Sequence, residues 1–462
     1  MHPRLLRKRK ASFKCADVTS LPASLKIAGK SSSTNGHFRF GRKTKVAVAI
    51  AVMAILLISF FAAFYNYNSE LKRWMGIDYV PTSHQNGGSG FVAPGQPVNS
   101  SVWLGIASNA WAYFQPGVGV DAQTGLPYAS GNNFKAFTAW DLGGYIQAII
   151  DAAKLGLVST DGPWGSSARI EKVTNLLQNR PLNPKTGYPY WYYDGTNGQD
   201  YHSLSDLATG TVDGADTGRL FVALNNLRSY NSSLTQRINY IVYNQSDYAA
   251  LLPNIEKDAD SNSIYGYYID SGFASFFPQL NNIPNQIMSN IFKSENVNTY
   301  GVALPNAAIT TEPLLGAMFE LNNSNAQLSS LTYQVYLAHE AYYGATGKYV
   351  AFSEGNSLTS QYIYEWVVAP NGQTWKITST TPNSYLNINP IIYTKVAYSF
   401  LALYNSTFAQ NLIIYLQNIL PDPRSNGYCD GTNNNGQCIP GTGCNTNSII
   451  LDAALYAIQN SA

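Results

Sequence analysis

Beyond Val102, apolar residues recur at three- and four-residue intervals, and the segments they define fall into six successive pairs. The first member of each pair carries one apolar stripe; the second is apolar nearly all round. The pairs are Val102 to Phe114 with Ala139 to Leu155, Ser167 to Leu177 with Gly214 to Leu227, and Ser233 to Leu252 with Tyr267 to Phe277. Asn285 to Phe292 with Glu312 to Leu321, Ser330 to Tyr343 with Tyr393 to Tyr404, and Phe408 to Leu420 with Thr446 to Ile458 complete the set. A helix apolar on every side must be enclosed, whereas one with a single stripe can face water. Alternating the two kinds six times predicts an all-α body of two concentric rings, an (α/α)6 toroid.

Between residues 357 and 387 the period changes. Gln361 to Val368 and Thr374 to Ile377 are apolar and aromatic runs separated by Ala369-Pro370-Asn371-Gly372-Gln373, which predicts a small β-hairpin insert.

Val46 to Phe64 is 19 residues without charge, Pro or Gly, enough for one helical bilayer crossing. It follows a long polar leader and lacks the short core of a cleaved signal peptide, so a retained transmembrane helix is expected. Of 29 basic and 27 acidic residues, 12 and 1 precede residue 46, leaving 17 and 26 beyond it. That asymmetry places the tail, residues 1–45, in the cytoplasm and the body outside the cell, with single-pass attachment. A basic cluster beside a membrane helix sets topology, so no nucleic-acid partner is expected for Arg7 to Lys10. Residues 65–101, with Gly87-Gly88-Ser89-Gly90 and Pro94, Gly95 and Pro97, suit a flexible stalk, and residues 102–462 the folded body.

Cys15 falls inside; Cys429, Cys438 and Cys444 fall outside, where one disulfide among the three is expected, its pairing open. Sequons at Asn99, Asn231, Asn244, Asn322 and Asn405 all lie on the exterior side and are candidate glycoprotein sites.

The enclosed helices begin with polar or ring-bearing groups: Trp140-Asp141, Asp213 to Asp216, Tyr267-Tyr268, Thr311-Glu312, Thr394-Lys395 and Asn445-Thr446-Asn447. In a toroid these starts share one end, so the groups converge. Taken singly, each has a plainer explanation: Asp141 and Asn445 suit helix capping, and Asp216 with Arg219 suits a surface helix pair. Glu320 and Glu340 read as helix-surface residues. Convergent carboxylates with aromatic rings are what glycoside cleavage requires, one acid protonating the leaving oxygen and one carboxylate activating water. Trp140, Tyr190, Trp191, Tyr267, Tyr268, Trp366 and Trp375 supply rings near the expected mouth.

Six strings in order, Thr138 to Tyr145, Asp216-Thr217-Gly218-Arg219-Leu220, Thr311-Glu312-Pro313, Ala351-Phe352-Ser353-Glu354, Thr394-Lys395-Val396-Ala397 and Asn445 to Leu451, resemble a family of extracytoplasmic domains. That family, domain of unknown function 3131, looks related to glucoamylase-like and β-1,2-glucanase groups. The resemblance spans the body from Val102 onward and implies the (α/α)6 fold and a role on glycans. It also implies a catalytic base in the loop before the last enclosed helix, where Asp430 stands in place of the family's more frequent Glu.

Glu312 is the expected proton donor, through a pKa raised by apolar surroundings. Asp141, Asp216 and Glu354 are expected to hold hydroxyls or tune the pair, with Glu354 able to exchange roles with Glu312. Trp140, Trp191, Tyr267, Tyr268, Lys395, Asn445 and Asn447 are expected to contact substrate.

The first reading is thus a membrane-anchored extracellular glycoside hydrolase, inverting, acting on a glucan or surface polysaccharide. Its alternative is a catalytically inactive carbohydrate-binding or cell-envelope organising domain. No metal or cofactor is expected. The Asp-Asp motif of terpene cyclases is absent, no His lies near the three C-terminal cysteines as a zinc-dependent cyclase would need, and a lyase would have to rely on Lys395 beside Tyr393.

Overall fold

The computed structural model describes residues 90–131, 134–201, 214–321, 325–380 and 384–460. The expected cytoplasmic tail, the membrane helix at 46–64, most of the stalk, and the sequon at Asn322 lie outside them. Among the described residues, no helix is long and apolar enough to cross a membrane.

Six helical hairpins form the body. The outer members are α1 (Ser100–Trp111), α3 (Ser166–Asn179), α5 (Thr235–Tyr243), α7 (Ile283–Lys293), α9 (Ala326–Thr346) and α11 (Thr407–Ile419). The inner members are α2 (Ala139–Lys154), α4 (Gly214–Tyr230), α6 (Ile264–Ala274), α8 (Thr311–Glu320), α10 (Thr394–Tyr404) and α12 (Cys444–Asn460). Each inner helix packs on the next, α2 on α4, α6, α8, α10 and α12 in turn, and α12 returns to α2, closing the ring. The outer helices brace it: α3 on α2, α7 on α6, α9 on α8, α11 on α10, and α1 on α12. The ring closes tightly because Gly218 and Gly272 let α4 and α6 touch backbone to backbone. A Cβ on Gly272 would stand 2.0 Å from the Gly218 carbonyl oxygen.

Burial follows the sequence pattern. Along α2, Leu142, Tyr145, Ile146, Ile149 and Ile150 are all buried, as are Ile449, Ile450 and Leu451 of α12. Each enclosed aliphatic side chain contributes roughly 1.5–3 kcal/mol, which is why this ring forms the core. The third outer segment departs from expectation. In place of one helix from Ser233 to Leu252, α5 stops at Tyr243, and a 3-10 turn at Tyr248–Leu251 leads into a short helix, Leu252–Lys257. Asn244, Gln245, Ser246 and Asp247 break the apolar stripe there.

The packed body also begins earlier than expected: Val92 and Val98, within the expected stalk, are buried against it. Asn99 then caps α1, accepting from the Ser101 and Val102 amides.

Short strands lie where the chain enters the inner helices. β1 (Ala136–Phe137) pairs with β2 (Tyr193–Asp194), and β3 (Asn296–Thr299) with β4 (Val302–Pro305). The insert is a three-stranded antiparallel sheet of β5 (Glu354–Asn356), β6 (Tyr362–Val368) and β7 (Thr374–Ser379). The β6–β7 turn is the expected one, with Gly372 at φ 79°; β5 was not foreseen. β8 (Ile392–Tyr393) and β9 (Gly431–Thr432) pair just ahead of α10 and α12. Bridges Ser130–Gly443 and Ser263–Ala308 join further inner-helix entries, so the leading ends are laced into one layer.

The expected disulfide is absent: Cys429, Cys438 and Cys444 are all free thiols. Cys444 is buried at the start of α12, its Sγ donating to the Asp141 carbonyl, while the Cys429 thiol donates to the Ile439 carbonyl at 3.2 Å and the Cys438 thiol to the Ile419 carbonyl at 3.7 Å.

Candidate functional site

The inner helices bring their leading side chains together around Glu312, second residue of α8 and only 2% exposed. One carboxylate oxygen forms an ion pair with Lys395 Nζ of α10 and accepts from Ser353 Oγ at 3.0 Å. The other accepts from Asn445 Nδ2 of α12 and lies 4.0 Å from Arg219 Nη1 of α4. Four elements thus converge on one carboxylate, and the α8 N-terminus adds its own positive field.

This environment corrects the expected protonation of Glu312. Burial pushes its pKa up, but Lys395, Arg219 and the hydrogen bonds from Lys395 and Asn445 outweigh that, and the net shift is downward. Glu312 is therefore held ionised, the opposite of a proton donor.

Glu354, at the start of β5 and 4% exposed, is the group pushed upward. Burial, then the charge on Glu312, raise its pKa from 4.5 to about 8, against the opposing effects of Lys395 and of hydrogen bonds from Tyr265 and Tyr362. Lys395 Nζ also donates to the Glu354 carbonyl at 2.9 Å, so one ammonium tethers both glutamates. Two neighbouring carboxyls whose surroundings drive their pKa values apart are the pattern of an acid paired with a permanently charged partner.

Asp430 sits in the loop before α12 at 9% exposure. Its carbonyl accepts from the Thr394 amide at 3.0 Å, which fixes the loop to the start of α10. Burial raises its pKa, partly offset by a hydrogen bond from the Thr446 side chain, the charge of Lys395 and a bond from the Gly443 backbone, while Glu312 adds to the rise. Asp141 closes a capping box, accepting from the Thr138 amide at 2.9 Å and from Thr138 Oγ1 at 3.2 Å. The plainer reading of Asp141 accounts for its contacts, although it too feels the fields of Arg219 and Glu312.

The remaining expected site residues divide. Lys395, Asn445 and Trp140 join the cluster; the Trp140 ring lies 4.8 Å from the Arg219 guanidinium. Asp216 is half-buried in the first turn of α4. Trp191 is half-buried in the loop before β2, tilted on Tyr192 at 5.2 Å. Three expected substrate contacts are corrected. Tyr267 is buried, and its hydroxyl accepts from Asn325 just beyond the far end of α8. Tyr268 is buried beneath Trp140, with its hydroxyl on Glu320. Asn447 spends its amide on backbone: it accepts from the Tyr428 amide at 2.8 Å and donates to the carbonyls of Tyr428 and Gly443 at 3.1 and 2.9 Å. It holds the Asp430 loop rather than a ligand. Trp375 packs against His339 and Phe352, on the core side of the insert.

Glu320, read from sequence as a surface residue, and Arg219, whose spacing from Asp216 suited a surface pair, are both buried. Arg219 Nη1 donates to Asn445 Oδ1 and its Nη2 reaches Glu320 at 3.4 Å, so it spans two levels of the ring interior. The signal was present: an arginine inside an otherwise apolar helix is buried only when paired. Ser353, Tyr265 and Tyr362 were also missed as partners of the two glutamates. A cavity of about 260 Å³ opens at the other end of the ring, lined by Val222, Ser271 and Glu320 among others. Among the described residues, Glu320 is its one ionisable lining residue, whereas the paired carboxyls Glu312 and Glu354 lie at the opposite end.

The family model described as "Protein of unknown function (DUF3131)" matches residues 105–261 and 277–460. Among solved structures, the chain is similar to a β-1,2-glucanase from Parabacteroides distasonis (TM-score 0.52, 13% identity), with 80% of this chain aligned to 58% of that one. It thus spans rather more than half the length of that relative. It is similar also to an endo-β-1,2-glucanase from Chitinophaga pinensis in complex with sophorotriose and glucose (TM-score 0.54, 12% identity, 79% and 96% covered). A chain described as a candidate glucoamylase from Bacteroides caccae aligns with TM-score 0.55 and 14% identity over 79% and 96%. At these identities the likeness establishes the six-hairpin fold. No curated protein matches the chain.

Proposed function

The chain belongs to the DUF3131 family, and on that premise we propose that it is a glycoside hydrolase acting on a glucan or surface polysaccharide with inversion. One observation carries the reading: Glu312 and Glu354, tethered by Lys395, have pKa values displaced in opposite directions, Glu354 upward to about 8. Glu354 then enters the reaction protonated and delivers its proton to the leaving oxygen. Asp430, within the field of the same Glu312–Lys395 pair, takes the proton of the attacking water. Glu312 stays charged throughout and offsets positive charge developing on the sugar ring. The glucan-acting relatives of the same fold support this substrate class.

We place the body outside the cell, carried by the Val46 to Phe64 helix, with Asn99, Asn231, Asn244 and Asn405 exposed for glycosylation. The apolar run and the opposite charge balance on its two sides support that topology. The near-complete burial of Glu312, Glu354 and Lys395 favours the alternative, a domain that binds glycans without cleaving them. Incubation with β-linked glucans decides between them. The hydrolase releases reducing ends, and NMR of the first products shows the inverted anomer; binding with no release removes the enzymatic reading.

A further inference from the structure

The three-stranded insert has two faces, set by strand alternation. Along β6, Ile363, Glu365 and Val367 are buried, while Tyr362, Tyr364 and Trp366 alternate with them on the opposite side. Directly paired residues share a face. Glu354 pairs with Tyr364 and Asn356 with Tyr362 on β5, and Thr378 pairs with Tyr364 and Lys376 with Trp366 on β7. The Glu354 carboxyl therefore stands on the same face as the three rings.

Those rings form a run that passes alongside Glu354, with Tyr364 directly opposite it and Tyr362 and Trp366 to either side. Tyr364 and Trp366 stack at 6.2 Å and 22°, and Tyr362 meets Tyr364 at 5.6 Å, with 38% of Tyr362 exposed. Tyr265, at the start of α6, braces Tyr364 and Trp366 edge-on at 6.3 and 6.0 Å while its hydroxyl donates to Glu354. Trp366 Nε1 donates to Thr378 Oγ1 at 3.1 Å, which fixes the indole plane. The platform is aromatic, braced on two sides and continuous with the carboxyl cluster.

We propose that this face binds the leaving-group portion of a neutral, multi-residue glycan, the C–H faces of successive sugars stacking on Trp366, Tyr364 and Tyr362. The inference rests on Glu354 as proton donor: the donor stands beside the leaving oxygen, so the surface next to it receives the sugars beyond the cleaved bond. Neutrality follows from charge. Among the described residues, Lys376 is the one cation on the face beyond Lys395, which is paired with Glu312, and it lies over the Tyr385 ring; the chain beyond residue 45 carries 17 basic against 26 acidic residues, which repels a polyanion.

The test uses the full chain and its Trp366→Ala and Trp366→Phe variants, each checked by melting temperature. Three ligands are compared, a linear neutral β-glucan hexasaccharide, the disaccharide and an aryl glucoside. Binding is measured by calorimetry in a Glu354→Gln background and cleavage in the active background. Trp366→Ala is expected to weaken hexasaccharide binding and kcat/KM about 10-fold, to weaken the shorter aryl glucoside less, and to be rescued by Trp366→Phe. Cleavage by the wild type with undiminished hexasaccharide preference in Trp366→Ala overturns the platform while the hydrolase reading stands. Hexasaccharide binding that depends on Trp366, with no cleavage of any ligand, removes the hydrolase reading and keeps the platform. Absence of binding to all three overturns both, and a polyuronate bound as tightly as the hexasaccharide overturns the neutral ligand class.

Discussion

The ring interior holds buried carboxyls at two levels, and they are treated oppositely. At the leading ends of the helices, Glu312 faces Lys395 and Arg219, and its pKa falls. Deeper, Asp151 of α2 and Asp452 of α12 feel each other's charge with Glu320 nearby, and burial raises both, Asp452 well above its ordinary value. Arg219 reaches both levels, its Nη1 toward Asn445 and Glu312 and its Nη2 toward Glu320 and Ser448. Burial alone thus does not decide whether an acid is charged; the number of cations within reach does. The leading level keeps a fixed negative charge beside a protonated glutamate, as acid–base chemistry needs. At the deeper level burial pushes the Asp151 and Asp452 carboxyls upward, Asp452 the further, and the pair lies within the core.

This contrast can be broken at several points. The largest effect is expected from Glu354→Gln, which removes the transferable proton and should lower kcat by about 10³-fold, with little change in melting temperature. In the wild type, the kcat/KM profile should fall on its alkaline side as Glu354 loses its proton through about pH 8; a profile flat past that point argues against Glu354 as donor. Next, Lys395→Met leaves Glu312 buried with one cation fewer. It should cost about 3–5 kcal/mol in denaturant unfolding, and adding Glu312→Gln should restore part of that loss. An additive double variant would show that the two side chains do not act as a pair.

Asn447→Ala sharpens the comparison from a neutral position. It removes three hydrogen bonds to the backbone around Asp430 and should cost about 1–3 kcal/mol. Activity should fall through displacement of Asp430, while disaccharide binding changes less than kcat. The smallest effect is expected at the deeper level. Asp452 holds its proton in the folded chain and loses it when unfolded above its ordinary pKa of 3.8, so folding stability declines as pH rises from there. Asp452→Asn abolishes that decline. Its melting temperature should lie within about 2 °C of wild type near pH 5 and above it near pH 8, and a variant that melts lower at both pH values would place a needed charge there.

Helix positions were the most legible part of the sequence. Predicted Ala139 to Leu155 became Ala139–Lys154, and predicted Phe408 to Leu420 became Thr407–Ile419, because apolar periodicity reports directly on which side of a helix is enclosed. The site was legible in part. Glu312, Lys395, Asn445 and Asp430 could be singled out because helix starts in a closed ring share one end. Glu320 was misjudged as a surface residue, and the burial of Arg219 was not resolved, because spacing on a single helix cannot show whether the facing surface is water or another helix. Tyr267, Tyr268 and Asn447 sit beside the right residues in sequence but turn into the core or the backbone.

What the sequence determined alone was the six-fold alternation of striped and fully apolar helices, the hairpin in the insert, and the charged asymmetry around Val46 to Phe64. Each is a local pattern, set by hydrophobic burial over tens of residues or fewer. Only the tertiary structure decided which acid is charged. The protonation of Glu312 and Glu354 depends on Lys395, Arg219, Asn445 and Tyr265, drawn from four other helices, and electrostatic fields act through space without regard to position along the chain.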